Sequence, residues 1–202
     1  VKPKVYDFNL NIKIQKSLWQ QFKIKHSNPS ERLRQLIEQD LKEIAGISEV
    51  NRNDVQKLKE MIFQNSLPIQ ICGFVGVGKT TAIQRLIKED KQHVYVVLDC
   101  HDEYSFLPEI FAITNDLKES CRIKMPKQVS AARAIYNLYH NQILSQKWPE
   151  NFVIVIEEAH RYPLVVELLK EARKFVKVIA ICQEPIGNFC PIVKIVERLN
   201  GV

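Results

Sequence analysis

Lys79 and Thr80 close the run Gly73-Phe74-Val75-Gly76-Val77-Gly78-Lys79-Thr80, in which three glycines precede a fixed cation and a hydroxyl. The spacing is G-x-x-x-x-G-K-[ST], and its chemistry is the gripping of a polyphosphate. Glycines at 73, 76 and 78 let the backbone fold tightly enough to turn successive N–H groups inward, and a helix starting at Lys79 adds its positive end. Lys79 is expected to reach β- and γ-phosphates and Thr80 to present its hydroxyl to Mg²⁺, which makes ATP and Mg²⁺ the expected cofactors. Val75, Val77 and Thr81 complete the expected contact set of the loop.

A second stretch carries paired carboxylates. Phe152-Val153-Ile154-Val155-Ile156 is an apolar strand that ends in Glu157 and Glu158. Ligands of such sheets bind where strands end. Adjacent strand residues point in different directions, so Glu157 is expected to support Mg²⁺ and Glu158 to orient or deprotonate an attacking water.

These residues need a frame, and the chain supplies one. Apolar strands are expected at residues 69–72, 93–99, 152–156, 176–182 and 192–198, with helices at 79–89, 129–146 and 164–174. Strands alternating with helices predict an α/β fold, a mainly parallel sheet covered on both faces, over residues 67–202. Residues 47–66 are polar around one amphipathic stretch, Val55, Leu58, Met61 and Ile62, and are expected as a helical connector.

Residues 1–46 read as a separate module. Phe8, Leu10, Ile12 and Ile14 alternate with Asn9, Asn11, Lys13 and Gln15, the pattern of a two-faced strand. A helix is expected over 16–26, and Asn28-Pro29-Ser30-Glu31 starts another, with Asn28 as N-cap and Gly46 as the stop.

Composition narrows the partners and the setting. Lys and Arg exceed Asp and Glu to give a net charge of +6 over 202 residues, which favours an anionic partner. Five cysteines without a C-x-x-C pair indicate neither a disulfide framework nor a zinc site. No apolar run approaches the ~20 residues that span a bilayer, so no membrane segment is expected and the chain is read as soluble and cytoplasmic.

A strand followed by two helices in residues 1–46, with Asn-Pro-Ser-Glu opening the second helix, resembles the ribbon-helix-helix family of DNA-binding proteins. The resemblance implies a dimer whose paired strands enter the major groove of double-stranded DNA. Asn9, Asn11 and Lys13 would then face base edges, and Asn28 and Ser30 would clamp a phosphate.

Four further segments are similar, in order, to motifs of the HerA/FtsK superfamily of DNA-pumping ATPases. Asp99-Cys100-His101-Asp102-Glu103-Tyr104 resembles its Asp-Pro-His-Gly-Glu-Tyr segment, and Glu157-Glu158-Ala159-His160 its Asp-Glu-Ala-His motif. Glu171-Ala172-Arg173-Lys174-Phe175 and Cys182-Gln183-Glu184-Pro185 resemble Gly-Arg-Lys-Phe and Thr-Gln-Arg-Pro. The resemblance implies a RecA-like P-loop core that assembles as a homo-oligomer, with a hexamer as the expected ring. It implies a γ-phosphate sensor at Gln183, an arginine finger acting on a neighbouring subunit at Arg173, and Asp99 and Glu103 flanking the site. His160 is expected to pack between strand and helix rather than to bind metal. Glu157 stands where the family has Asp, Cys100 replaces Pro and Asp102 replaces Gly. The N-terminal barrel and large insertions of cellular HerA proteins are not expected here. Two functional classes lead, a DNA-moving ATPase and a sequence-specific regulator that uses nucleotide as an assembly switch; a P-loop enzyme acting on a small molecule is a third, which the basic charge and the N-terminal module disfavour.

Overall fold

The computed structural model describes residues 25, 28, 32, 47–64, 67–171, 176–187 and 190–196. The chain divides into two compact units, Val1–Leu41 and Lys42–Val202. In the first, the Arg32 N–H donates to the Asn28 carbonyl at 3.0 Å. Asn9, Asn11, Lys13 and Ser30 lie outside the described residues.

The second unit grows from apolar runs too short for core helices. Ile69–Cys72, Phe152–Ile156 and Lys177–Cys182 are buried at every position, which a strand tolerates when both faces are covered. In chain order the elements are β1 (Ile47–Asn51), α1 (Val55–Phe63), β2 (Ile69–Cys72), α2 (Lys79–Glu89), β3 (Val94–Asp99), β4 (Cys121–Lys124), α3 (Val129–Ser145), β5 (Phe152–Ile156), α4 (Val165–Glu171), β6 (Lys177–Cys182) and β7 (Ile192–Val196). Among the described residues the strands form one seven-stranded sheet, ordered β1-β7-β2-β6-β5-β3-β4, and every neighbouring pair is parallel. All the strands therefore end at one edge, where the chemistry-bearing residues gather.

Strand alternation divides the core. Val96, Leu98, Ile154, Ile156, Val178 and Ala180 pack with Tyr136 and Ile143 of α3 and Leu168 of α4. Tyr95, Val97, Val153, Val155, Ile179 and Ile181 pack with Leu58 and Ile62 of α1 and Ile83 and Leu86 of α2. The sheet is thus covered on both faces, as the strand–helix alternation predicts.

Two strands depart from the sequence reading. The 47–66 segment holds the expected helix, but it also contributes β1, paired with β7 from Ile47↔Ile192 to Asn51↔Val196. The expectation of a purely helical connector is corrected: the sheet begins at residue 47, not near 67. β4 is likewise absent from that reading, and it lies at the opposite edge. Edge strands have one open side and need fewer apolar residues, so Ile47-Ser48-Glu49-Val50-Asn51 and Cys121-Arg122-Ile123-Lys124 do not read as core.

The crossover from β6 to β7 has no helix among its described residues, and Gln70 of β2 supports it. The fully buried amide accepts from the Ile186 N–H at 2.7 Å, donates to the Gly187 carbonyl at 2.7 Å and donates to Cys190 Sγ at 3.4 Å. Loop backbone laid against a core must find partners, and an amide side chain supplies both donor and acceptor.

Candidate functional site

After β2 the chain turns through Gly73, Gly76 and Gly78 at φ of 152°, 83° and 94°. At Gly73 space matters as much as φ, because a Cβ there would stand 2.9 Å from Val77 Cγ1 and 3.1 Å from the Ile195 carbonyl oxygen. Helix α2 then starts at Lys79, with the Ala82 N–H bonded to the Gly78 carbonyl at 2.9 Å. No side chain caps this helix and no acidic residue occupies its first turn. Its first N–H groups and positive end are open to an anion. Lys79 is buried, and its ammonium donates to the carbonyls of Gly73 at 2.8 Å and Phe74 at 3.1 Å. A phosphate oxygen entering the loop would compete for those donors.

Glu157 follows β5, which stands two places from β2 with β6 between, a separation of about 10 Å at the usual strand spacing. Its side chain reaches toward that gap, near enough to the Thr80 hydroxyl of the phosphate loop for that hydroxyl to favour the charged carboxylate. On its other side the Tyr104 hydroxyl donates to Glu157 Oε1 at 2.5 Å. Burial pushes the Glu157 carboxyl up to about 7, against the pull of the hydrogen bonds from Tyr104 and Thr80, while Glu103 and Glu158 add repulsion. A carboxylate and a hydroxyl side by side are the hard oxygen ligands that Mg²⁺ prefers, and a dication would lift the penalty on the buried charge. The two residues fit the expected metal.

Glu158 occupies the left-handed region at φ 49° and ψ 42°, a backbone conformation that bulky residues adopt only under constraint. Its carboxylate lies 3.5 Å from His160 Nε2 and 3.5 Å from Arg161 Nε, in a 3₁₀ turn over Ala159–Arg161. Gln183, exposed at the end of β6, accepts a hydrogen bond on its carbonyl from the Gly73 N–H at 3.3 Å. The γ-sensor candidate is thereby tied to the first glycine of the loop. Gln183, Glu184, Pro185, Ile186 and His160 line a cleft of about 320 Å³. His160 is 38% exposed, which corrects the expectation that it packs between elements. Val75 and Thr81 are exposed, Val77 and Thr80 half-buried. Arg173 lies outside the described residues.

Sequence reasoning assigns no role to three contributors, Tyr104, Arg122 and Arg52. Asp99, expected to flank the site, is wholly buried and accepts the N–H groups of His101 (3.3 Å), Glu103 (3.1 Å) and Tyr104 (3.0 Å), with Arg122 Nη1 at 3.1 Å. It shapes the loop that aims Tyr104 at Glu157. Glu103 joins the same loop to α2 by accepting on its carbonyl from Gln84 Nε2 at 2.7 Å. Arg52, in the turn after β1, lies so close to Gly78 that a Cβ there would meet its Cδ at 3.0 Å. Its only sequence signal is a positive charge in a segment whose strand does not read as one.

A parallel sheet with a glycine loop entering a helix at one strand end, and a Thr–Glu pair drawn together across the sheet, defines a P-loop NTPase. The sequence profile of the family described as AAA domain matches residues 60–187, and the chain belongs to that family. No curated protein and no solved structure matches the chain in such comparisons.

Proposed function

We propose that this protein is a Mg²⁺-dependent ATPase of the HerA branch that moves or remodels double-stranded DNA, with a ribbon-helix-helix module in residues 1–46. The observation that carries the hydrolytic part is the glycine loop entering the uncapped start of α2, with buried Lys79 inside it and the Glu157 carboxylate near Thr80. Bound Mg²⁺ would neutralise charge on the phosphates at Thr80 and Glu157. Lys79 exchanges the Gly73 and Phe74 carbonyls for phosphate oxygens. Glu158 orients water, Gln183 contacts the terminal phosphate, and Arg173 acts on the site of the next subunit. The net charge of +6 and the residue types Asn9, Asn11 and Lys13 support the DNA partner. Phe74 and Val75, 85% and 78% exposed at the loop tip, offer apolar surface that a neighbouring subunit would cover, in keeping with a homo-oligomer.

One observation favours the second class, a DNA-binding regulator switched by nucleotide: Glu158 is engaged by His160 and Arg161. Hydrolysis by the Glu158→Gln chain, measured with and without duplex DNA, separates the two. The motor reading expects ATP to bind normally to this variant, turnover to fall steeply, and the parent to be stimulated by DNA. Equal turnover by variant and parent would remove Glu158 from the chemistry, and binding without turnover by the parent would favour the switch.

A further inference from the structure

Cys72 ends β2 and Cys182 ends β6, and the register of these neighbouring strands sets the two residues side by side. Their sulfurs stand 3.1 Å apart, with Cys72 1% and Cys182 0% exposed. Each is followed at once by a residue of the candidate site, Gly73 after one and Gln183 after the other, and those two share a backbone hydrogen bond of 3.3 Å. Both cysteines are free thiols, and a third, Cys190, lies nearby on the Gln70 amide. Among the described residues no group of three or more His, Cys, Asp or Glu is arranged to hold a metal ion. A metal does not account for the pairing.

We propose that Cys72 and Cys182 form a reversible disulfide at the root of the phosphate loop, a covalent modification site whose reactant is a peroxide. Cys72 is the attacking sulfur. The hydrogen bond shared with Cys182 holds it below the ordinary thiol range, opposed by burial and helped by the charges of Lys194 and Lys79. The Cys72 thiolate attacks one peroxide oxygen, the O–O bond breaks, and hydroxide leaves with the proton Cys72 had released, as water. Cys182 sulfur then attacks the resulting sulfenic sulfur, the S–O bond breaks, and the departing hydroxide takes the Cys182 proton. Two thiols have lost two electrons, and the peroxide has been reduced to two waters. Ile47 and Ile186, both partly buried, pack on the cluster that holds the pair, so the oxidant must be small, and a peroxide is close to water in size.

Closure from 3.1 Å to a bonded length of ~2.05 Å brings the sulfurs about 1 Å closer and fixes their torsions at the two strand ends, which must adjust to the bond. Misplacement by that distance can lower a rate by ~10²-fold, and the strand ends carry Gly73 and Gln183. The disulfide itself stands on the sulfur geometry; its effect on the site rests on the nucleotide reading above.

The test treats the whole purified chain with hydrogen peroxide, alkylates the remaining thiols with N-ethylmaleimide under denaturing conditions, and counts them by intact mass and peptide mapping. Free thiols should fall from five by the two that map to Cys72 and Cys182, and dithiothreitol should restore all five. Cys182→Ala should abolish the crosslink, and Cys190→Ala should leave it intact. If Cys182→Ala does not fold, mapping of the parent chain still decides. In parallel, a fluorescent ATP analogue titrated with Mg²⁺ should bind the oxidised chain ~10-fold more weakly or worse, with hydrolysis down by as much as ~10²-fold and both reversed by dithiothreitol. Five free thiols after peroxide, or a crosslink made through Cys190, would overturn the site. A Cys72–Cys182 crosslink that leaves nucleotide affinity and turnover unchanged would overturn the coupling. Failure of the reduced chain to bind ATP counts against the nucleotide reading and not against the disulfide.

Discussion

Glu157 concentrates the conflict between stability and function in one side chain. Its carboxyl is raised from 4.5 to about 7, so between those pH values the folded chain holds a proton that the unfolded chain has released. The sign follows from linkage: the contribution is fully present below pH 4.5 and is lost as pH rises through 7. A shift of that size corresponds to as much as ~3 kcal/mol. Glu157→Gln should therefore raise the thermal midpoint of the nucleotide-free chain at pH 8 and leave it nearly unchanged at pH 4, because an amide keeps an acceptor for Tyr104 without the buried charge. The same variant should lose the Mg²⁺-dependent part of its nucleotide affinity. Melting curves at the two pH values, with and without MgATP, check both halves, and an equal midpoint change at pH 4 and pH 8 would deny Glu157 its raised titration.

Among the elements, β2 holds the loop at its end and the crossover along its side. Gln70→Leu would leave the part-buried Ile186 N–H and Gly187 carbonyl without their partner, a loss of ~1–3 kcal/mol in all, since each costs less than a fully buried orphan. Denaturant unfolding should show a loss in that range, accompanied by weaker nucleotide binding, since the crossover begins at Gln183. Normal stability would mean that the crossover is held by other contacts. The legibility of the fold follows the same physics. The central strands could be placed to within a residue or two because a parallel strand buried on both faces is apolar throughout, as Phe152–Ile156 shows. β1 and β4 were not legible because edge positions relax that demand. The placement of the loop glycines, Lys79 and Thr80 between β2 and α2, and of the two glutamates after β5, was legible from local pattern. Tyr104 was not, because its contact with Glu157 spans 53 positions and exists only once β3 and β5 pair.

At the scale of the whole molecule, the DNA-binding reading assigns base recognition to Asn9, Asn11 and Lys13. Replacing all three by Ala should weaken binding to a preferred duplex by ~1–3 kcal/mol for each bidentate base interaction removed, with less effect on random sequence. Titration at fixed salt measures this, and equal affinity of parent and variant for the preferred site would remove the ribbon from the account. The central claim, however, is that nucleotide chemistry at the phosphate loop is coupled to DNA. It is tested most directly by the rate of ATP hydrolysis with Mg²⁺, in the presence and absence of duplex DNA, for the parent chain and for Lys79→Ala. In the proposed function the Lys79 ammonium is the charge that reaches the β- and γ-phosphates, so its removal should abolish turnover. The account predicts Mg²⁺-dependent hydrolysis that duplex DNA stimulates and that Lys79→Ala lacks under every condition; hydrolysis that persists in Lys79→Ala, or a parent rate that DNA leaves unchanged, would contradict it.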